Sequence, residues 1–236
     1  MKKRVMVCLP YAGGSSIIYY RWIEQLKDVC EIIPVDYPGH GKKVTQAFAT
    51  SYYEMLLDIY EDIIEKVKDK EFVIFGHSMG AYVAFDLCKI FIRNFQTIPE
   101  FIILSSANDP GHRIKLSYAT QKGDELDWKS IANLGGTPKE ILLNEEYRKY
   151  FEPIFLNDFR ILDSISEVSS PIQVPIYVCW GDHDPIITES GVFGWKELSG
   201  CNVEMKKFVG GHFYCFEENS HTFIDYLKNI LCEVKR

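Results

Sequence analysis

No stretch of this chain approaches the roughly 18 uninterrupted apolar residues that cross a bilayer, so no membrane-spanning helix is expected. Cysteine pairing is missing as well. The seven cysteines (Cys8, Cys30, Cys88, Cys179, Cys201, Cys215 and Cys232) stand singly, none in a Cys-x-x-Cys pair. An odd, scattered set of thiols is what a reducing compartment leaves. Positive charge is in short supply: 26 Lys and Arg face 33 Asp and Glu, for a net charge of −7. Beyond Lys2-Lys3-Arg4 there is no basic cluster, so the electrostatic footprint of a nucleic-acid binder is absent. Met1-Lys2-Lys3-Arg4 before an apolar stretch has the outline of a signal peptide, but Pro10 and Tyr11-Ala12-Gly13-Gly14 end that stretch too early. A cytoplasmic protein is expected. Neither an internal repeat nor a low-complexity linker divides the 236 residues, which read as one domain over 1–236.

What is present is an alternation. Apolar runs rich in strand formers occur at 5–9, 32–35, 72–75, 101–104, 176–180 and 203–208. Several are apolar without interruption, as strands buried on both faces are. Helical periodicity falls between them at 16–27, 52–68, 79–95, 192–198 and 219–233. The pattern predicts an α/β fold: a doubly wound, mostly parallel central sheet with helices on both faces. One interval, 107–174, is far longer than the ~30 residues of a βαβ unit. It carries its own helical spacing in Leu126, Ile131 and Leu134, then in Phe151, Ile154, Phe155, Phe159 and Leu162, with Gly135-Gly136-Thr137-Pro138 between the two sets. This predicts a helical lid insertion at about 108–170, over the strand ends where open α/β sheets place their sites.

Gly76-His77-Ser78-Met79-Gly80 sits between one of those strands and the helix after it. A serine on a tight strand-to-helix turn with glycines two residues away on each side is the nucleophile elbow of an α/β-hydrolase. The bland alternative is a glycine-flanked serine in an ordinary βα turn. A serine hydroxyl needs a base to take its proton and a carboxylate to orient that base, and in this fold they follow in the order Ser, acid, His. The strand at 203–208 runs into Gly210-Gly211-His212, which supplies His212 as base. The strand at 176–180 runs into Gly181-Asp182-His183-Asp184-Pro185, where both aspartates can reach the same edge. Asp184 is freer to turn towards His212, and Asp182 is suited to bonding backbone N–H groups of the turn.

The other histidines are less well placed. His77 lies inside the elbow, His40 in a turn with a local structural role, His112 in the insertion and His221 on the last helix. Asp182-His183-Asp184 is not a metal cluster, because adjacent side chains rarely converge on one ion. No metal is expected. For the oxyanion hole, the backbone N–H of Met79 follows the nucleophile, and that of Ala12 lies in the loop after the first strand, which Gly13-Gly14 let fold back over the site.

Taken together, Leu9-Pro10-Tyr11-Ala12-Gly13-Gly14-Ser15, Pro38-Gly39-His40-Gly41, Gly76-His77-Ser78-Met79-Gly80, Leu134-Gly135-Gly136-Thr137-Pro138, Gly181-Asp182-His183-Asp184-Pro185 and Gly210-Gly211-His212-Phe213 resemble a type II (editing) thioesterase of nonribosomal peptide and polyketide synthase systems. The resemblance covers nearly the whole chain and implies Asp184 as the acid. It also implies a serine thioesterase that hydrolyses acyl or aminoacyl thioesters from the phosphopantetheine arm of acyl or peptidyl carrier protein domains. No cofactor of its own is implied, since the arm belongs to the partner, and the family form is a monomer. Arg113 and Lys115, near the start of the insertion, are candidates for carrier docking. Two other readings share the sequence: a small-molecule carboxylesterase, and a non-catalytic binding protein on the same fold.

Overall fold

The computed structural model describes residues 3–94, 97–115, 120–121, 125–217 and 220–233. Met1, Lys2, the expected helix ends at Phe95 and Asn219, and residues 116–119 and 122–124 of the expected insertion lie outside the described residues.

The elements follow the alternation. Strand β1 (Arg4–Leu9) leads through a 3-10 turn (Ser16–Tyr19) into α1 (Tyr20–Leu26) and then β2 (Cys30–Pro34). Next come α2 (Tyr52–Val67), β3 (Phe72–His77), α3 (Met79–Asn94) and β4 (Ile102–Ser105). A two-residue pair, β5 (Thr120–Gln121) and β6 (Glu125–Leu126), precedes α4 (Trp128–Leu134), α5 (Lys139–Leu143) and α6 (Glu145–Asp163). Strand β7 (Ile176–Gly181), α7 (Glu189–Gly194), a 3-10 turn (Trp195–Leu198), β8 (Val203–Phe208) and α8 (His221–Glu233) complete the chain.

Six strands form one sheet in the order β2-β1-β3-β4-β7-β8, with every neighbouring pair parallel. Successive strand side chains leave on opposite faces, and the core divides accordingly. Val5, Val7, Leu9, Ile74, Ile102, Leu104 and Val178 join the cluster that holds residues of α2 and α3. Met6, Cys8, Val73, Phe75, Ile103 and Cys179 join the one that holds Trp22 and Leu26 of α1 with Phe223 and Leu227 of α8. The sheet is therefore covered on both faces, as a parallel sheet must be.

Differences from the sequence reading are local. The first predicted helix begins as a 3-10 turn, and the one predicted at 192–198 is a short α-helix followed by another 3-10 turn. Leu126, grouped with a helix by its spacing, is in β6 instead, because Asp127 caps α4 by accepting from the Lys129 N–H. The other grouping holds. Phe151, Ile154, Phe155, Phe159 and Leu162 lie on α6, and Phe155, Phe159 and Leu162 continue the α2–α3 side of the core. Arg113 is not free for docking: its side chain is buried against Asp163 and donates to the Ile165 carbonyl. Lys115 stays exposed and pairs with Glu167.

Candidate active site

The elbow is strained where the sequence says it should be. Ser78 has φ 55, the left-handed region that a residue with a Cβ adopts only when its surroundings impose it. Two close approaches impose it. A Cβ on Gly76 would run into the Gly80 carbonyl, and one on Gly80 into the Leu9 carbonyl. The turn is pinned by the Ser78 N–H, which donates to the Ser105 carbonyl at the end of β4 (2.8 Å). Met79 is the first residue of α3, so its N–H belongs to the open end of the helix, where the dipole is positive.

The turns after β7 and β8 are laced to each other. The Asp182 N–H donates to the Phe208 carbonyl (2.8 Å) and the His183 N–H to the Gly210 carbonyl (3.0 Å). The Asp182 carboxylate accepts from the Gly210 N–H (3.0 Å) and from His183. These bonds, the Gly210 one foremost, hold the Asp182 carboxyl below the usual carboxylate range. Gly181 has no room for a Cβ against the Gly210 and Gly211 carbonyls. This close lacing carries Asp184 and His212 to the same point. Asp184 Oδ2 lies 2.8 Å from His212 Nδ1, and His212 Nε2 lies 3.0 Å from Ser78 Oγ. Asp184 Oδ1 accepts from the Ile186 N–H, so the carboxylate is held at both oxygens. Asp184 and His212 are both buried. His212 is steadied from behind, since Ser106 Oγ donates to its backbone carbonyl (3.0 Å). Asn108 secures the Asp184 side by bonding the Ile186 carbonyl and the Thr188 N–H.

Of the remaining histidines, His77 is turned onto Ser105 Oγ (2.9 Å), and its ring packs 5.3 Å from that of His212, centroid to centroid. Burial, with His212 beside it, pushes its pKa well below the ordinary imidazole value. His183 bonds Asp182 in an exposed turn.

His40 corrects the sequence reading, because its role is not local. Its Nε2 lies 2.9 Å from Oδ2 of Asp158, 118 positions away on α6. Asp158 is completely buried, and the same Oδ2 accepts from the Gly13 N–H (2.7 Å). Sequence reasoning missed Asp158, although a signal was there: it is a carboxylate inside the apolar stripe Ile154, Phe155, Phe159, Leu162.

In the loop after β1, the Gly14 N–H is spent on the Tyr11 carbonyl (2.9 Å) and the Gly13 N–H on Asp158. Among the described residues, the Ala12 and Met79 N–H groups meet no acceptor of the chain. A cavity of about 830 Å³ opens beside His212, between this loop and the inserted helices. Its walls are largely apolar and include Tyr11, Leu134, Phe151, Phe213 and Phe216, with Arg21 and Glu217 as charged members. Gly136 (φ 72) lies flat on the Phe213 ring, where a Cβ would overlap it. The Gly-Gly of the insertion is thus seated on the residue next to His212.

Comparisons with known proteins identify the family and the fold. The family model described as the thioesterase domain matches residues 4–231. The medium-chain S-acyl fatty acid synthase thioesterase of Homo sapiens is 28% identical over 225 residues, covering 93% of this chain and 83% of its own. Thioesterase PikA5 of Streptomyces venezuelae is 26% identical over 210 residues, covering 89% and 74%. Among solved structures, ClbQ from the colibactin NRPS/PKS pathway aligns with a TM-score of 0.88 at 23% identity over 99% of both chains, a likeness of fold.

Proposed function

The chain belongs to the thioesterase domain family, with the α/β-hydrolase fold and an activity on thioesters, and from that premise we propose that it clears acyl or aminoacyl groups from the phosphopantetheine arm of carrier protein domains in nonribosomal peptide or polyketide synthesis. The observation that carries the reading is the unbroken line from Asp184 through His212 to Ser78, at 2.8 and 3.0 Å, beside an apolar cavity.

Ser78 Oγ attacks the thioester carbonyl carbon while His212 Nε2 takes the serine proton, and Asp184 holds the Nδ1–H and steadies the imidazolium. The negative charge on the carbonyl oxygen is met by the Ala12 and Met79 N–H groups, each worth about 10²–10³ in rate. The C–S bond breaks, the arm leaves as a thiol with the proton from His212, and an acyl ester remains on Ser78. His212 then deprotonates a water, which attacks that ester and releases a carboxylic acid, regenerating Ser78. The thioester arrives on the partner's own arm, so the enzyme supplies no cofactor.

The stretch at about 108–170 is the lid of a single domain over 1–236. The support is its position: Phe151 on α6 and Leu134 and Gly136 in or beside α4 form cavity wall, and among the described residues no strand of the main sheet comes from it. A cytoplasmic setting fits the seven unpaired thiols, five of them buried. A monomer is in keeping with a site that one chain completes.

The test is the intact mass of a carrier domain loaded with an acyl group, incubated with wild type or Ser78→Ala. Loss of the acyl mass with wild type alone supports the proposal. Survival of every acyl carrier alongside cleavage of a simple oxygen ester would replace it with the carboxylesterase reading.

A further inference from the structure

Two buried groups near the site take no part in the chemistry above: the His40 imidazole and the Asp158 carboxylate. Asp158 Oδ2 holds the Gly13 N–H at 2.7 Å and His40 Nε2 at 2.9 Å. His40 Nδ1 lies 3.0 Å from the Pro38 carbonyl, so both ring nitrogens face acceptors and only the doubly protonated ring satisfies both. Asp158 Oδ1 has no hydrogen-bond partner among the described residues. A buried pair with an unsatisfied oxygen adds little to stability compared with apolar packing. What this pair does is fix a peptide plane.

Tyr11 to Gly14 contains three amides after Tyr11. The Tyr11–Ala12 peptide is oriented by the Gly14 N–H on the Tyr11 carbonyl, which sends the Ala12 N–H the opposite way. The next peptide, Ala12–Gly13, is oriented by Asp158 through the Gly13 N–H. Phe155, one turn before Asp158 on α6, lies against the Cα of Gly13, leaving no space for a Cβ there. With φ 78, Gly13 adopts a left-handed backbone that glycine takes freely and a residue with a Cβ does not. We infer that Asp158 is a positioning residue for thioester hydrolysis: from the inserted helix α6, with His40 as counter-ion, it clasps the opening loop so that the Ala12 N–H alone of the three amides is presented to the oxyanion. The inference rests on the Ser78 mechanism proposed above. It makes the insertion part of the transition-state machinery as well as a wall of the cavity.

The clasp acts on the transition state and leaves substrate binding alone, and this separates it from a merely structural role. The full-length wild type, Asp158→Asn and His40→Gln are compared on an acetyl-loaded carrier domain and on p-nitrophenyl acetate. Two pantetheine probes are also titrated: one ending in a trifluoromethyl ketone, which adds to Ser78 and places an alkoxide in the hole, and a plain S-ethyl thioether. For Asp158→Asn, kcat is expected to fall about a hundred-fold with KM within about two-fold, the size of effect that a slightly misplaced group produces. Ketone affinity should fall in parallel, and thioether affinity should stay at the wild-type value. A folded Asp158→Asn enzyme with unchanged kcat, or one that loses the thioether as badly as the ketone, overturns the inference. If circular dichroism shows that this variant does not fold, His40→Gln carries the test, since it leaves the carboxylate on Gly13. A several-fold loss of kcat at constant KM supports the clasp, and an unchanged kcat overturns it. A wild type that cleaves neither substrate faster than Ser78→Ala would sink the thioesterase reading itself. The ketone and thioether titrations need no turnover and would still decide the clasp.

Discussion

The two sides of the site are held by different means. Ser78, Asp184 and His212 stand on the turns after β3, β7 and β8 of one parallel sheet, and backbone bonds to the neighbouring strand or turn keep them there: Ser78 to Ser105, Asp182 to Phe208, His183 to Gly210. The Ala12 loop also follows a strand, but it is fixed from outside by side chains of α6, Asp158 and Phe155. The proposed nucleophile, base and acid are therefore placed by the sheet, whereas the proposed oxyanion side is placed by α6. Groups that must meet within about 3 Å are set by the scaffold, and groups that face a variable acyl chain share their support with the cavity wall.

Substitutions on the strand side should show the largest effects. Ser78→Ala is expected to lower kcat by roughly 10⁶-fold and Asp184→Asn by about 10⁴-fold, measured by release of free thiol. Asp182→Asn should cost less than about ten-fold, because it only weakens the turn bonds to the Gly210 N–H and His183, each worth about 1 kcal/mol, and changes no reacting group. Equal losses at 182 and 184 would break the assignment of the acid. Next in size is the hundred-fold kcat effect expected of Asp158→Asn. Gly136→Ala should be milder. It places a Cβ on Phe213 in a backbone conformation costing about 1–2 kcal/mol, and it should raise KM several-fold with kcat nearly kept. A change confined to kcat would mean that Gly136 serves His212 and not the cavity.

The smallest effect is in pH. Burial alone would lower the pKa of His40, but the charge of Asp158 and the hydrogen bond to it win, and the pKa is raised above the ordinary imidazole value. Asp36 adds to the rise, and the neutral Tyr37 ring packs edge-on beside His40. A raised folded-state pKa gives stability that is fully present below the unfolded value of about 6.5 and is lost as pH rises through the folded value. The stability gap between wild type and His40→Gln, from urea melts, should be widest in mild acid and should narrow at alkaline pH. A gap that widens with pH would mean that His40 is neutral in the fold.

Much of the strand side was legible because its signals are short. Gly76-His77-Ser78-Met79-Gly80 encodes its own turn, and Asp184 and His212 come within a few residues of strands whose apolar runs are unmistakable. The choice between Asp182 and Asp184 was not legible from the residues alone, since both sit on the right edge. The difference lies in Asp182 being occupied by the Gly210 N–H across the turn. The α6 side was half legible. Its apolar stripe predicted a buried helix, but pairing across 118 positions, His40 with Asp158, leaves no local trace beyond one charge out of place. Arg113 was misjudged for the same reason, as its partner Asp163 is 50 residues away.

The seat of Gly13 between Phe155 and Asp158 bears on how chain-length preference can be changed by design. Recombining helices 128–163 with those of a relative is the obvious way to reshape the cavity, yet these helices are not an interchangeable cassette. A donor segment has to bring a carboxylate and a flat ring, one turn apart, to residue 13 of the recipient. A graft chosen only for the width of its cavity would accept the acyl chain and leave the serine ester slow to form.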